Sequence, residues 1–179
     1  MADFTNCLLT GGYDLGCKDN TGGIQKVYIR NFSDEVYTYD TDGSILTVLD
    51  AATGLVAPTY YTFEQRNENA EFTQEGQHSV ENGTNFWIQT INLIFHKNEA
   101  DLRNTLLVLA KSSLDIVVLD QNGTYWQIGK QNGAELVSST SNMGKAYGDM
   151  NGSTVGIEGR EPEPADVVSA AAFATFTIL

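Results

Sequence analysis

The residues best equipped for chemistry in this chain are acids grouped around glycine turns. Asp-x-Asx-Gly occurs three times: Asp40-Thr-Asp42-Gly43-Ser44, Asp120-Gln-Asn122-Gly123-Thr124 and Asp149-Met-Asn151-Gly152-Ser153. Hard oxygen ligands at alternating positions are half of a calcium loop. A full loop also needs a third alternating ligand and a later glutamate, and neither follows at the right spacing. Turn chemistry explains the pattern without an ion, because tight hairpins favour Asx-Gly. No metal or cofactor is expected.

Nucleophilic and redox chemistry fare no better. His78 and His96 are the only histidines, one in a polar stretch and one at a strand end. Isolated histidines make neither a zinc set nor a base–nucleophile pair. Cys7 and Cys17 lack metal-site spacing; a lone disulfide is conceivable, and two free thiols in a reducing cytosol are the expectation. There is no Gly-x-Ser-x-Gly, no phosphate loop and no dinucleotide fingerprint. Trp87, Trp126 and the tyrosines could line a sugar-binding face, but core and rim roles are the ordinary fate of such residues in a β protein. The chain does not read as an enzyme.

The elements that must carry these residues are mostly strands. Alternation predicts strands over Ile24–Asn31, Val36–Tyr39, Ile45–Leu49 and Tyr60–Arg66. Residues 67–85 are polar and acidic, and fit either a long hairpin or a mobile loop. Phe86–His96 carries apolar groups on both parities, which predicts a central strand covered on both faces. One helix is expected over about 98–112, capped by Asn98, with Glu99 and Asp101 in its first turn and Lys111 near its end. Its apolar stripe is Leu102, Leu106 and Leu109, widened by Leu107 and Ala110. Further strands are expected at Leu114–Leu119, Thr124–Ile128, Glu135–Ser139, Ser153–Glu158 and Val167–Leu179, with Asn-Gly turns at Asn122, Asn132 and Asn151. The tally is about nine to eleven strands and one helix, an antiparallel β-sandwich or barrel with a flanking helix. Residues 1–23 read as an N-terminal arm and 24–179 as a single β domain.

Charge narrows the partners. The chain has 23 acids against 10 bases, a formal charge of −13. That argues against a sequence-independent nucleic-acid binder, which needs a basic footprint, and against an anionic membrane surface as partner. Between Asn31 and His96 ten acids face a single base, Arg66. Such a surface gives solubility, and it also repels polyanions. No signal peptide is read at the start, and no window approaches the roughly 18 apolar residues of a membrane helix.

The stretch from Leu102 to Ala165 resembles bacteriophage tail tube (major tail) proteins. The matching order is the helix Asn-Thr-Leu-Leu-Val-Leu-Ala and the buried strand Leu-Asp-Ile-Val-Val-Leu-Asp. Then comes Asn-Gly-Thr-Tyr-Trp-Gln-Ile-Gly-Lys-Gln-Asn-Gly-Ala-Glu-Leu. It closes with Asn142-Met-Gly-Lys-Ala-Tyr-Gly-Asp-Met-Asn-Gly-Ser-Thr-Val-Gly-Ile-Glu-Gly. The match covers about a third of the chain.

The resemblance implies a β-sandwich or barrel with one helix, whose copies form hexameric rings stacked into a hollow tube. Its partners would be further copies of itself and other tail proteins, with DNA passing through the lumen without specific binding and no membrane insertion by this chain. Such a subunit is made in the host bacterial cytoplasm and ends in the virion tail. Related tubes occur in contractile injection systems. A tail terminator, a decoration protein or a carbohydrate-binding β-sandwich are the competing readings. On the tube reading, an acidic channel surface is expected from Asp34, Glu35, Asp40, Asp42, Glu64, Glu68, Glu71 and Glu75.

Overall fold

The computed structural model describes residues 12–13, 18–41, 43–50, 58–66 and 68–179, with backbone only for 46–50. Most of the arm, both cysteines and Asp42 lie outside the described residues.

The protein is mainly β, with twelve strands and two short helices among the described residues. The order is β1 (Ile24–Asn31), β2 (Glu35–Tyr39), β3 (Ile45–Asp50), β4 (Thr59–Glu64), β5 (Glu71–Ser79), β6 (Thr84–His96), α1 (Ala100–Leu109), β7 (Leu114–Asp120), β8 (Tyr125–Ile128), β9 (Ala134–Asn142), β10 (Gly152–Glu161), β11 (Asp166–Val168), α2 (Ala170–Phe173) and β12 (Thr177–Ile178). The expected polar, acidic stretch thus resolves in favour of a hairpin from residue 71 on, since β5 and β6 pair from Glu71–Asn92 to Ser79–Thr84.

Two layers result. One runs β12-β4-β1-β7-β8-β11-β3-β2, the other β9-β10-β6-β5, and they meet where Leu114 of β7 pairs with Ala134 of β9. The ladders are antiparallel except for two short parallel contacts, β11 with β3 and β12 with β4. Between the layers, Val27 and Ile29 of β1 and Ile116 and Val118 of β7 pack on Ile91, Leu93, Val155 and Ile157, with Leu109 of α1. The opposite face of the first layer has its own core: Tyr28, Tyr60, Val117, Leu119, Val168, Ala172 and Phe176. Strand β7 is therefore buried on both faces, as its unbroken apolar run requires.

Several expectations are corrected. β6 lies between β10 and β5, but only its Gln89, Ile91 and Leu93 parity is buried; Ile88 and Ile94 remain half-exposed because no layer covers them. Asn98 does not cap α1. Glu99 holds the N-cap position without a side-chain bond, while Asn98 Nδ2 donates to the Asn142 carbonyl (2.9 Å) and Asn151 Oδ1 (3.1 Å). The helix stops at Leu109, so Lys111 lies beyond it. Leu107 and Ala110 do not widen the buried stripe; both are exposed. The expected C-terminal strand breaks at Ser169, whose hydroxyl accepts from Ala172 N (3.1 Å) and caps α2. That turn swings Phe173 and Phe176 onto Tyr28, Tyr125 and Tyr60.

The Asn-Gly sites also diverge. Gly123 (φ 84°) closes a true β7–β8 hairpin, where Asp120 Oδ1 accepts from Asn122 N and Thr124 N (2.8 and 2.9 Å). Asn132-Gly133 joins β8 to β9, but these strands do not pair; β9 leaves for the other layer. Gly152 is no turn centre. It opens β10, opposite both His96 and Asn142.

Candidate functional site

Cross-strand partners in a ladder share a face. On the outward face of the second layer the register aligns Glu71–Asn92–Gly156–Ser138, Thr73–Thr90–Glu158–Glu135 and Glu75–Ile88–Arg160. The inward partners are the apolar core, Ile91, Leu93, Val155, Ile157 and Leu136. A four-stranded surface mostly of Glu, Ser, Thr and Asn, with half-exposed Ile88 and Ile94 among them, therefore backs directly onto the core. A register shift between Gly156 and Ile157 in the β9 pairing keeps this division intact, with Leu136 inward and Glu135 outward.

This face carries Glu71, Glu75, Glu135 and Glu158 against one base, Arg160. Arg160 Nε donates to Glu158 Oε1 at 2.9 Å, so its charge is spent locally. What remains is a wall of like charges over a low-dielectric core. A phosphate backbone brought within a Debye length, roughly 8–10 Å at physiological salt, is repelled.

Of the eight expected acids, only Glu71 and Glu75 are brought together. Asp34 and Asp40 are exposed on the β1–β2 and β2–β3 connections of the other layer. Asp40 Oδ1 accepts from Thr41 N (2.6 Å). Glu64 ends β4, and Glu68 sits exposed in a positive-φ turn (67°). Glu35 does not belong on a surface. Its side chain is 2% exposed, ion-paired to Arg30 at 2.5 Å. Burial lifts its carboxyl above the usual range, against the pull of Arg30. Glu135 and Glu158 were missed, although the alternation of Thr154, Glu158 and Arg160 with Val155 and Ile157 marks one polar face of β10.

The group most like a catalytic site in composition is sealed inside. Asp115, 1% exposed, accepts from Arg30 Nε (2.8 Å), Tyr60 OH (3.1 Å) and Gln127 Nε2 (3.1 Å). Burial pushes the Asp115 carboxyl up, yet the Arg30 ion pair and converging donors oppose that, and we regard the pair as ionised. Burial also raises the Tyr37 hydroxyl, which accepts from Gln127 Nε2 (3.1 Å). Arg30 lies 5.1 Å from the Tyr60 ring centroid. The network ties β1, β2, β4, β7 and β8 together. Beside it Lys130 pairs with Asp166 and donates to Tyr39 OH (2.8 Å).

The other candidates for chemistry stay apart. His78 bonds Asn85 Oδ1 and His96 bonds Asn69 Nδ2, at opposite ends of the β5–β6 hairpin. Trp87 meets the His78 ring edge-on, and Trp126 donates to Asp120 Oδ2 (3.1 Å); both are half-buried, not a flat exposed platform. Asp120 and Asp149 spend their carboxylates on amide N–H groups.

Neither a scan against protein-family models nor a search of curated proteins gives a match to this sequence.

Proposed function

We propose that the protein is a structural subunit of a phage tail tube, assembling into stacked rings around a DNA conduit, with the outward β9-β10-β6-β5 face turned to the lumen. The observation that carries this reading is that face: four acids, one base already paired, and mostly small polar side chains around Ile88 and Ile94, directly over the core. A conduit for a polyanion works best if it neither binds nor snags its cargo. Two further features support assembly. Among the described residues, β5, nine residues long, ends its layer with one side unpaired, and β2 ends the other layer. Open edges of this length aggregate unless something covers them, and ring neighbours do so by sharing sheet edges. The sequence resemblance over Leu102–Ala165 points the same way.

Negative-stain electron microscopy of the purified protein over a range of concentrations tests the reading. Rings or hollow tubes are the expected result. Strictly monomeric protein throughout overturns it, and rings that never stack favour a tail terminator instead.

A further inference from the structure

The β5–β6 hairpin outruns its layer. β10 pairs with β6 only from His96 to Trp87, so among the described strands Thr84–Phe86 pair with β5 alone. About 10 Å of two-stranded ribbon therefore projects from the sheet. At its turn Val80 is 101% exposed, beside the exposed Glu81. No Lys or Arg lies between Arg66 and Lys97 to offset Glu71, Glu75 and Glu81. A bare two-stranded ribbon is marginal in water, and an apolar residue at its tip has nothing of its own to bury against.

The other end of β6 leads into α1 and a groove that no described residue fills. Leu102, Leu106 and Leu107 of the helix and Leu136 and Met143 of β9 and its following loop line about 530 Å³ of mostly apolar space. Leu107 is 45% and Met143 81% exposed. Two charges rim it, Glu99 and Arg103. Glu99 is taken by Lys97. Arg103 has no carboxylate partner among the described residues, only a 3.5 Å contact to Asn104 Oδ1. The groove thus offers an apolar slot with one free positive charge, and the hairpin tip offers an apolar knob with a free negative charge.

These complementary features sit at opposite poles. Tip and helix are separated by the thirteen residues of β6, about 40 Å of strand. They cannot meet within one molecule. Resting on the tube-subunit reading, we propose that the β5–β6 tip of one copy seats Val80 in the α1–β9 groove of the next, with Glu81 against Arg103. A heterologous contact between opposite poles leaves a free tip at one end and a free groove at the other, so it propagates from copy to copy.

A charge swap and a cross-link test it on the full-length chain. Arg103→Glu or Glu81→Arg alone places like charges together and should raise the concentration for half-maximal assembly roughly tenfold or more, read by sedimentation and tube length. Both residues are exposed, so the fold is retained, checked by circular dichroism. The double variant E81R/R103E should return to the wild-type range. A photoreactive benzoylphenylalanine replacing Leu107 should give an intermolecular adduct to a peptide containing residues 77–86. Failure of the double variant to recover, or an adduct elsewhere, including residues 1–11, overturns this contact while the tube reading stands. A wild-type protein that never assembles overturns both.

Discussion

Asp115 and Arg30 hold each other ionised in the interior, joining β7 to β1. Removing one partner leaves the other charged and buried, the costly case. Asp115→Ala should lose about 3–5 kcal/mol of stability in urea unfolding. Adding Arg30→Met and Glu35→Gln together should recover much of that loss, because Glu35 also pairs with Arg30 and no orphaned charge then stays buried. A loss below about 1 kcal/mol would show the network to be slack. Glu161 gives a pH dependence. It is 3% exposed, and Gln131 N and Asn132 N donate to its Oε1 (3.1 and 2.9 Å). Burial lifts its carboxyl above the ordinary value, against those amides and Lys130. The folded state then binds the proton more tightly than the unfolded chain. Its contribution opposes folding increasingly as pH rises from the ordinary carboxyl value through the raised one. Glu161→Gln keeps an acceptor and removes the charge. Its stability relative to wild type should rise between pH 4 and pH 8 in denaturant titrations; a relative fall over that range would reverse the assignment.

At the scale of elements, the β6–β10 ladder is the spine of the proposed lumen face, and Gly152 sets where it starts. A Cβ there would overlap the Phe95 carbonyl oxygen, part of the backbone rather than a yielding side chain. Gly152→Ala should cost about 1–3 kcal/mol, as overpacking does. It should also speed hydrogen exchange at the Lys97 amide, which bonds the Asn151 carbonyl at 2.7 Å. Gly148→Ala is the control: open space surrounds that position, and the change should be nearly neutral. Equal effects at both positions would remove the close-approach explanation. The sequence marked Asn151-Gly152 as a turn because Asx-Gly pairs are strong hairpin signals. The actual reversal uses the nine residues from Met143 to Asn151, held by Asp149 Oδ2 accepting from Lys145 N and Ala146 N (both 2.8 Å). That bonding depends on chain path, which local pairing preferences do not report.

For the whole molecule, the net charge of −13 is distributed by the fold rather than by the chain. Glu71 and Glu75 lie far in sequence from Glu135 and Glu158, yet the register sets them on one face. Replacing Glu71 and Glu75 with Lys converts part of that face into phosphate-binding surface. On the proposed tube reading, tubes should still form, since both side chains are exposed away from the core, while DNA release from assembled particles slows. Unchanged release with intact tubes would place this face outside the channel.

By itself the sequence determined the β class, the extent of β1, the hairpin turn at Gly123 and that β7 is a buried strand. Each depends on alternation or local turn geometry, which neighbouring residues specify. It also carried the signal for α1, through the spacing of Leu102, Leu106 and Leu109. Only the tertiary structure decided that Glu35 is a buried ion-pair partner, because its fate depends on Arg30 and Asp115 arriving from β1 and β7. The same holds for Asn98, drawn from the helix cap by Asn142 and Asn151, and for the C-terminal segment, bent at Ser169 to cover the aromatic core. The acidic face and the groove beside α1 belong here too. Both are products of strand register and layer packing, which bring together residues that no local pattern connects.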